Sequence, residues 1–76
     1  MNLGNLKPGE TGRILKLDSG MGPIRRRLMD MGVIPGELIT VEKIAPMGDP
    51  IEVTIRGYNL SLRNGEARGI EIEVVP

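Results

Sequence analysis

The 76-residue chain contains neither cysteine nor histidine. Without cysteine, the fold has no disulfide to stabilise it and no thiolate to bind a metal ion. Without histidine, it lacks the side chain that most often serves as a general base and as a transition-metal ligand. Only carboxylate oxygens and methionine thioethers remain as ligands, and the carboxylates form no spaced cluster along the sequence. We therefore expect no catalytic residues, no tightly held metal ion and no cofactor.

Aromatic residues and net charge are also scarce. Tyr58 is the sole aromatic side chain, and ten basic residues balance ten acidic ones. A neutral chain without stacking platforms lacks the usual features of a nucleic-acid-binding protein. No apolar run approaches the roughly 20 residues that cross a bilayer, and the first residues do not form a signal peptide. The sequence predicts a cytoplasmic protein that binds no nucleic acid and does not insert into a membrane, and it leaves the oligomeric state open.

The chain length is that of one domain, so we take residues 1–76 as a single unit. Strand character is found in five short segments, residues 12–17, 37–44, 51–56, 60–63 and 70–74. The third alternates most cleanly, with Ile51, Val53 and Ile55 predicted to point inward. Five short strands are too few for two sheets but sufficient for a small barrel. The predicted fold is mainly β, with one α-helix after the first strand and a short helical turn at residues 64–69.

One α-helix is predicted between Pro23 and Gly32. Proline suits the first turn of a helix, and glycine suits the position just beyond its end. At about 100° per residue, Ile24, Leu28 and Met31 fall on one stripe. We expect these three side chains to pack on the barrel and to close it.

The other faces of this helix carry candidate partner-binding residues. Arg26 faces solvent with Asp30, four residues later, whereas Arg25 and Met29 share one flank. The arginines fit a solvated helix face and also fit a docking surface for an acidic patch. The neighbouring methionine favours docking, since methionine and arginine are enriched at interfaces. We therefore take Arg25, Arg26 and Met29 as candidates.

Two further candidates, Met47 and Tyr58, lie at predicted loop tips. Loops on small barrels often carry the contacts to a partner. Tyrosine is also a side chain that frequently dominates the binding energy of an interface. The alternative is that both side chains fold back over a thin core.

The order of short motifs along the chain resembles that of the FeoA family. The most specific stretches are Arg27–Gly36, with the pattern Arg-Leu-x-x-Met-Gly-Val-x-Pro-Gly, and Asn59–Arg63, with the sequence Asn-Leu-Ser-Leu-Arg. The resemblance covers nearly the whole chain. It departs mildly at Met31, where the family often has leucine, and at Ser61, where it often has alanine.

This resemblance implies an SH3-like β-barrel that acts in bacterial ferrous iron transport. The implied partner is FeoB, a membrane permease with a cytoplasmic GTPase domain, and the implied role is non-enzymatic regulation by docking on that cytoplasmic part. Transition-metal binding is implied for the family, although the residues of this chain do not favour it. One alternative is a stand-alone SH3-like regulatory domain related to those of metal-dependent repressors. A small RNA- or ribosome-binding barrel is a further alternative, disfavoured by the neutral charge and missing aromatics.

Overall fold

The computed structural model describes all 76 residues and confirms the mainly β fold. Five antiparallel strands are present: β1 (Thr11–Leu17), β2 (Leu38–Ile44), β3 (Ile51–Ile55), β4 (Tyr58–Leu62) and β5 (Ile70–Val75). They form one sheet in the order β4-β3-β2-β1-β5. The sheet curls into a small barrel, and the whole chain has principal extents of 27 × 26 × 23 Å.

Two short helices occupy the connections of the barrel. Helix α1 (Pro23–Asp30) lies between β1 and β2, and helix α2 (Asn64–Arg68) lies between β4 and β5, as the sequence predicted. Single 3₁₀ turns precede β1, at Leu3–Asn5, and α1, at Ser19–Met21. Neither helix is long and apolar enough to span a membrane.

The core consists of 15 buried hydrophobic side chains. The prediction for β3 is confirmed, because Ile51, Val53 and Ile55 are all buried and the residues between them are not. Leu3 and Leu6 are buried as well, so the segment before β1 packs on the barrel. A single apolar centre therefore holds every strand and the N-terminal turn together.

A β-bulge lies at the two adjacent apolar residues of β1, Ile14 and Leu15. The pairing of β1 with β5 shifts between Ile14 and Lys16, which leaves Leu15 at the irregularity. Ile14 is buried, whereas Leu15 is 43% exposed. A bulge adds one residue to one strand and increases the local twist, which favours closure of a small barrel.

Helix α1 ends in a Schellman motif. The Val33 amide donates to the Leu28 carbonyl at 3.0 Å, and the Gly32 amide donates to the Met29 carbonyl at 3.0 Å. Gly32 has a φ of 95°, in the left-handed region that glycine adopts without a steric penalty. Leu28 and Val33 are both fully buried, which is the apolar contact that accompanies this motif. The predicted helix end is confirmed.

The predicted core stripe of α1 is wrong at Ile24. Leu28 is fully buried and Met31 is half-buried against the core, but Ile24 is 38% exposed. Met29, predicted to lie off the stripe, packs partly against the core. The helix has only eight residues, and its C-terminal end provides the contacts with the barrel. In its N-terminal turn Ile24 is not part of the core, so α1 covers one end of the core and does not close the barrel along a full stripe.

Tyr58 does not lie at a loop tip, contrary to the prediction. It is the first residue of β4 and pairs with Ile55 of β3. The hairpin loop consists of Arg56 and Gly57 alone, with φ values of 52° and 83°. Positive φ at both central residues is the requirement of a type I′ turn, which matches the twist of the flanking strands. An arginine is unusual in this conformation, and for that reason the sequence did not indicate the turn.

Candidate docking surface

A shallow groove of about 310 Å³ lies between the C-terminal end of α1 and the β3–β4 hairpin. Its apolar lining comes from four side chains, those of Met29, Met31, Ile34 and Tyr58. Asp30, Gly32 and Arg56 complete it. The fold thus brings together Met29 and Tyr58, two of the five predicted partner-binding residues.

The position of Tyr58 depends on the glycine that ends α1. A Cβ atom built on Gly32 would lie 3.1 Å from the Tyr58 hydroxyl oxygen and 3.3 Å from the Arg56 Cδ atom. Gly32 therefore allows both side chains to approach the helix end closely. Tyr58 remains 41% exposed, so part of the ring faces solvent along the groove. Tyrosine is among the side chains that most often dominate the binding energy of a protein interface.

Arg25 and Arg26 lie on α1 outside the groove lining. The Arg25 Nε donates to the Leu17 carbonyl at 3.2 Å, which connects the helix to the end of β1. The Arg26 Nε lies 3.4 Å from the Asp30 Oδ1, and both side chains are well exposed. The predicted pair of Arg26 and Asp30 is present. Because Asp30 lines the groove, Arg26 places a positive charge at its margin, whereas Arg25 has a structural contact of its own.

Met47 is separate from this groove. It lies in the loop between β2 and β3 and is 92% exposed. This loop is attached to α2, because the Asn64 amide donates to the Asp49 Oδ1 at 2.9 Å and the Asn64 Nδ2 donates to the Gly48 carbonyl at 3.3 Å. The five candidates therefore do not form one surface.

A second cleft, of about 340 Å³, separates α1 from α2. Its lining residues are Met21, Ile24, Asp49, Arg63, Gly65 and Glu66. Helical periodicity assigns Ile24 to the core, so this cleft has no signal in the sequence. The exposed N-terminal turn of α1 is what opens it.

Glu66 joins the two helices at the back of this cleft. Its side chain is only 10% exposed, and Oε2 lies 3.7 Å from the Arg27 Nη2 on α1. Oε1 accepts a hydrogen bond from the Arg63 amide at 2.9 Å, which satisfies a free donor at the start of α2. Both carboxylate oxygens are therefore engaged within the protein.

Acidic residues are otherwise dispersed over the surface. No group of three or more aspartate or glutamate side chains comes close enough together to hold a metal ion. The Tyr58 groove has one carboxylate, Asp30, and the cleft between the helices has two, Asp49 and Glu66.

Solved structures of similar proteins define the class of fold. An FeoA-like protein from Clostridium acetobutylicum is 38% identical and has a TM-score of 0.91 over 100% of this chain and 87% of that chain. The iron(II) transport protein A from Clostridium thermocellum is 44% identical, with a TM-score of 0.91 over 99% of this chain and 46% of that chain. FeoA from Stenotrophomonas maltophilia, a prokaryotic SH3 domain protein in complex with zinc, is 24% identical and has a TM-score of 0.85 over 96% of this chain and 89% of that chain. The chain has the SH3-like fold.

The FeoA domain model matches residues 1–74, and the chain belongs to the FeoA family. A fusion protein of Fe(2+) transport protein A and Fe(2+) transporter FeoB from Porphyromonas gingivalis is 39% identical over 75 residues. These residues are 99% of this chain but only 9% of the fusion protein. T. acidophilum IdeR is 25% identical, with a TM-score of 0.85 over 99% of this chain and 34% of that chain.

Proposed function

We propose that this protein is a non-enzymatic regulator of ferrous iron uptake that docks on the cytoplasmic, GTPase-containing part of an FeoB permease. The observation that carries this proposal is the Porphyromonas gingivalis fusion, in which an FeoA-like segment and FeoB share one chain. Covalent linkage keeps two modules at a high effective concentration, which favours contact between them.

The groove beside Tyr58 is the proposed contact surface. It combines apolar methionine and isoleucine side chains with one partly exposed tyrosine, and two arginines, Arg26 and Arg56, lie at or near its margin. Arg56 has only a loose contact with Glu37, at 3.9 Å. An apolar centre with an aromatic anchor and a basic margin is typical of a protein interface. Its complement is an apolar patch with acidic neighbours.

Regulation requires that docking distinguish two states of the permease. A binding protein shifts an equilibrium only by the difference in its affinity for the two states. We therefore expect the affinity for FeoB loaded with a non-hydrolysable GTP analogue to differ from the affinity for FeoB loaded with GDP. Equal affinities for the two nucleotide states of FeoB would contradict a regulatory role and would be consistent only with a scaffold role.

The test uses full-length FeoB in lipid nanodiscs and the 76-residue chain, with binding measured by biolayer interferometry. Tyr58→Ala is expected to weaken binding by about 30-fold, the effect of losing a hot spot worth about 2 kcal/mol. Thermal unfolding of the variant, measured by circular dichroism, establishes that the fold survives. Unchanged affinity of a folded Tyr58→Ala variant would exclude the groove as the docking surface.

A matched pair of charge variants tests the basic margin. Arg26→Gln and Lys43→Gln each remove one exposed positive charge and one surface ion pair, at 3.4 Å and 3.3 Å respectively. Lys43 lies on β2, away from the groove. Only Arg26→Gln is expected to slow association with FeoB, since margin charges act mainly on the association rate. Equal effects of the two variants would indicate nonspecific attraction.

The similarity to T. acidophilum IdeR favours a second candidate function, that of an SH3-like regulatory domain related to those of metal-dependent repressors. Such a domain would bind a DNA-binding partner in place of a permease. Affinity purification of the tagged chain from its native host separates the two functions, because FeoB is membrane-bound and a repressor is not. Recovery of a DNA-binding protein without FeoB would favour the second candidate.

A further inference from the structure

The outer edge of β4 carries backbone groups that bond to no other strand. β4 is the last strand of the sheet and pairs only with β3. In a two-residue hairpin the flanking residues, Ile55 and Tyr58, exchange backbone hydrogen bonds, so alternate residues of β4 turn their N–H and C=O groups away from β3. These residues are Asn59 and Ser61. Both are exposed, and no backbone hydrogen bond reaches them from elsewhere in the protein.

The opposite edge of the sheet, at β5, is covered. The Ile72 amide donates to the Met1 carbonyl at 2.9 Å. Asn2 forms a bridge with Glu71, and Glu71 and Glu73 are exposed charges on the same strand. Proteins protect edge strands by such coverage, by charged side chains, by proline or by a bulge. β4 has none of these, since its five residues are uncharged, contain no proline and pair with β3 without a shift of register. Its edge is therefore open to a further strand.

The side chains of β4 determine which segment suits this edge. An added strand places alternate side chains on the two faces of the sheet. On the inner face it meets Leu60, which is only half-buried, and Tyr58, whose ring lines the groove beside α1. On the outer face it meets Asn59 and Ser61, which carry no charge. The matching segment is uncharged and has two aliphatic residues separated by one other residue.

We infer that an extended, uncharged segment of the cytoplasmic part of FeoB binds along β4 as a sixth strand. Asn59 and Ser61 each contribute two backbone hydrogen bonds, and one aliphatic side chain of the segment enters the groove. The inference rests on the proposed docking on FeoB and specifies its mode. Tyr58 belongs to both surfaces, so one partner segment occupies both. Pairing with a second copy is disfavoured, because two strands of about 17 Å cover far less than the roughly 1,200 Å² of a stable interface.

Model peptides test the strand mode on ¹⁵N-labelled protein without FeoB. The probe is the acetylated, amidated hexapeptide Ser-Thr-Val-Thr-Val-Ser, whose valines match the two inner positions. On binding, the amide protons of Asn59 and Ser61 should exchange more slowly with solvent, whereas that of Leu60, already bonded to β3, should not change. N-methylation of the second threonine removes a donor that faces β4 and should weaken binding about tenfold. N-methylation of the first valine, whose amide faces away from β4, is the matched control and should preserve the affinity.

A pair of variants at Ser61 tests the edge itself. Ser61→Pro removes an N–H that faces away from β3, a position at which an edge strand tolerates proline. Ser61→Ala changes the same side chain but retains the amide. Ser61→Pro should abolish binding of the probe peptide and weaken binding to FeoB about tenfold. Ser61→Ala should preserve both, and urea denaturation establishes that the two variants fold. If Ser61→Pro does not fold, the peptides on the unaltered protein decide.

Three outcomes would overturn the inference. Equal binding of the two N-methylated peptides would show that no backbone pairing occurs. Full affinity of a folded Ser61→Pro variant for FeoB, with a loss in Tyr58→Ala, would contradict the added strand and leave docking at the groove intact, whereas full affinity of both variants would contradict both proposals. A dimer of the chain in sedimentation equilibrium that Ser61→Pro abolishes would assign the edge to a second copy.

Discussion

The Tyr58 hydroxyl oxygen lies so close to Gly32 that a Cβ atom on this glycine would be 3.1 Å from it. Gly32 also has a φ of 95°, so two separate requirements exclude other residues at this position. One is the left-handed conformation that ends α1, and the other is the space that Tyr58 occupies. The left-handed conformation is required by the helix end, whereas the space for Tyr58 is required by the groove that we propose as a docking surface.

We predict that Gly32→Ala destabilises the protein more than Gly36→Ala does. Both glycines have nearly the same φ, 95° and 96°, so each substitution has a similar backbone cost of about 1–2 kcal/mol. Nothing lies within 4 Å of a Cβ at Gly36, whereas a Cβ at Gly32 crowds Tyr58 and Arg56. The difference between the two free energies of unfolding, measured in urea, isolates this crowding.

The signals of Tyr58 provide a second measurement of the crowding that Gly32→Ala introduces. It is the only aromatic residue, so its ring proton resonances and its fluorescence are free of overlap from other residues. Gly32→Ala should shift both signals, and Gly36→Ala should leave them unchanged. Equal destabilisation by the two variants, with unaltered Tyr58 signals, would mean that the hydroxyl contact contributes nothing.

The β3–β4 hairpin contains a residue that is poorly suited to its conformation. Arg56 has a φ of 52°, and asparagine is the residue that type I′ turns favour before glycine. We therefore predict that Arg56→Asn raises the free energy of unfolding by up to about 1 kcal/mol. Urea denaturation measures the change, and the denaturant dependence should stay constant because the buried surface is the same.

The contact between Arg56 and Glu37 is the control for this variant. At 3.9 Å and with a largely exposed arginine, it should contribute a few tenths of a kcal/mol at most. Glu37→Gln removes the contact without changing the turn, so its effect can be subtracted. A loss of stability in Arg56→Asn beyond that of Glu37→Gln would show that the turn does not favour asparagine.

The sequence predicted the elements whose local signals and tertiary packing agree. Ile51, Val53 and Ile55 alternate because one face of β3 is buried, and the pattern is sufficient to predict it. Proline and glycine mark the two ends of α1 for reasons confined to the helix itself. The barrel followed from the number and length of the strands.

The candidate surface was less predictable because it depends on how α1 lies on the barrel. Helical periodicity places Ile24 and Leu28 on the same side of the helix, but it does not say which turn touches the core. Only the turn near Leu28 does so. The Tyr58 groove and the α1–α2 cleft both follow from this placement, and neither has a local signal in the sequence.

We predict that Leu28→Ala and Ile24→Ala differ greatly in their effects, although periodicity treats the two positions alike. Leu28 is fully buried, so its truncation should cost about 2–5 kcal/mol. Ile24 is partly exposed, and its truncation should cost less than about 1 kcal/mol. The free energy of unfolding in urea measures both. Similar losses would mean that the cleft is closed in solution and that Ile24 belongs to the core.

Glu66 has two roles that a set of variants can separate. Glu66→Gln retains an oxygen that accepts from the Arg63 amide but removes the charge that faces Arg27, 3.7 Å away. Since the Arg27 side chain is 68% exposed, a double-mutant cycle with Arg27→Gln should give a coupling below about 1 kcal/mol, weaker at high salt. Glu66→Ala should cost about 1–3 kcal/mol, because it leaves the Arg63 amide without an acceptor. If Glu66→Gln destabilised the protein as much as Glu66→Ala, the ion pair with Arg27 would be the dominant contact between the helices, and the hydrogen bond at the start of α2 would be secondary.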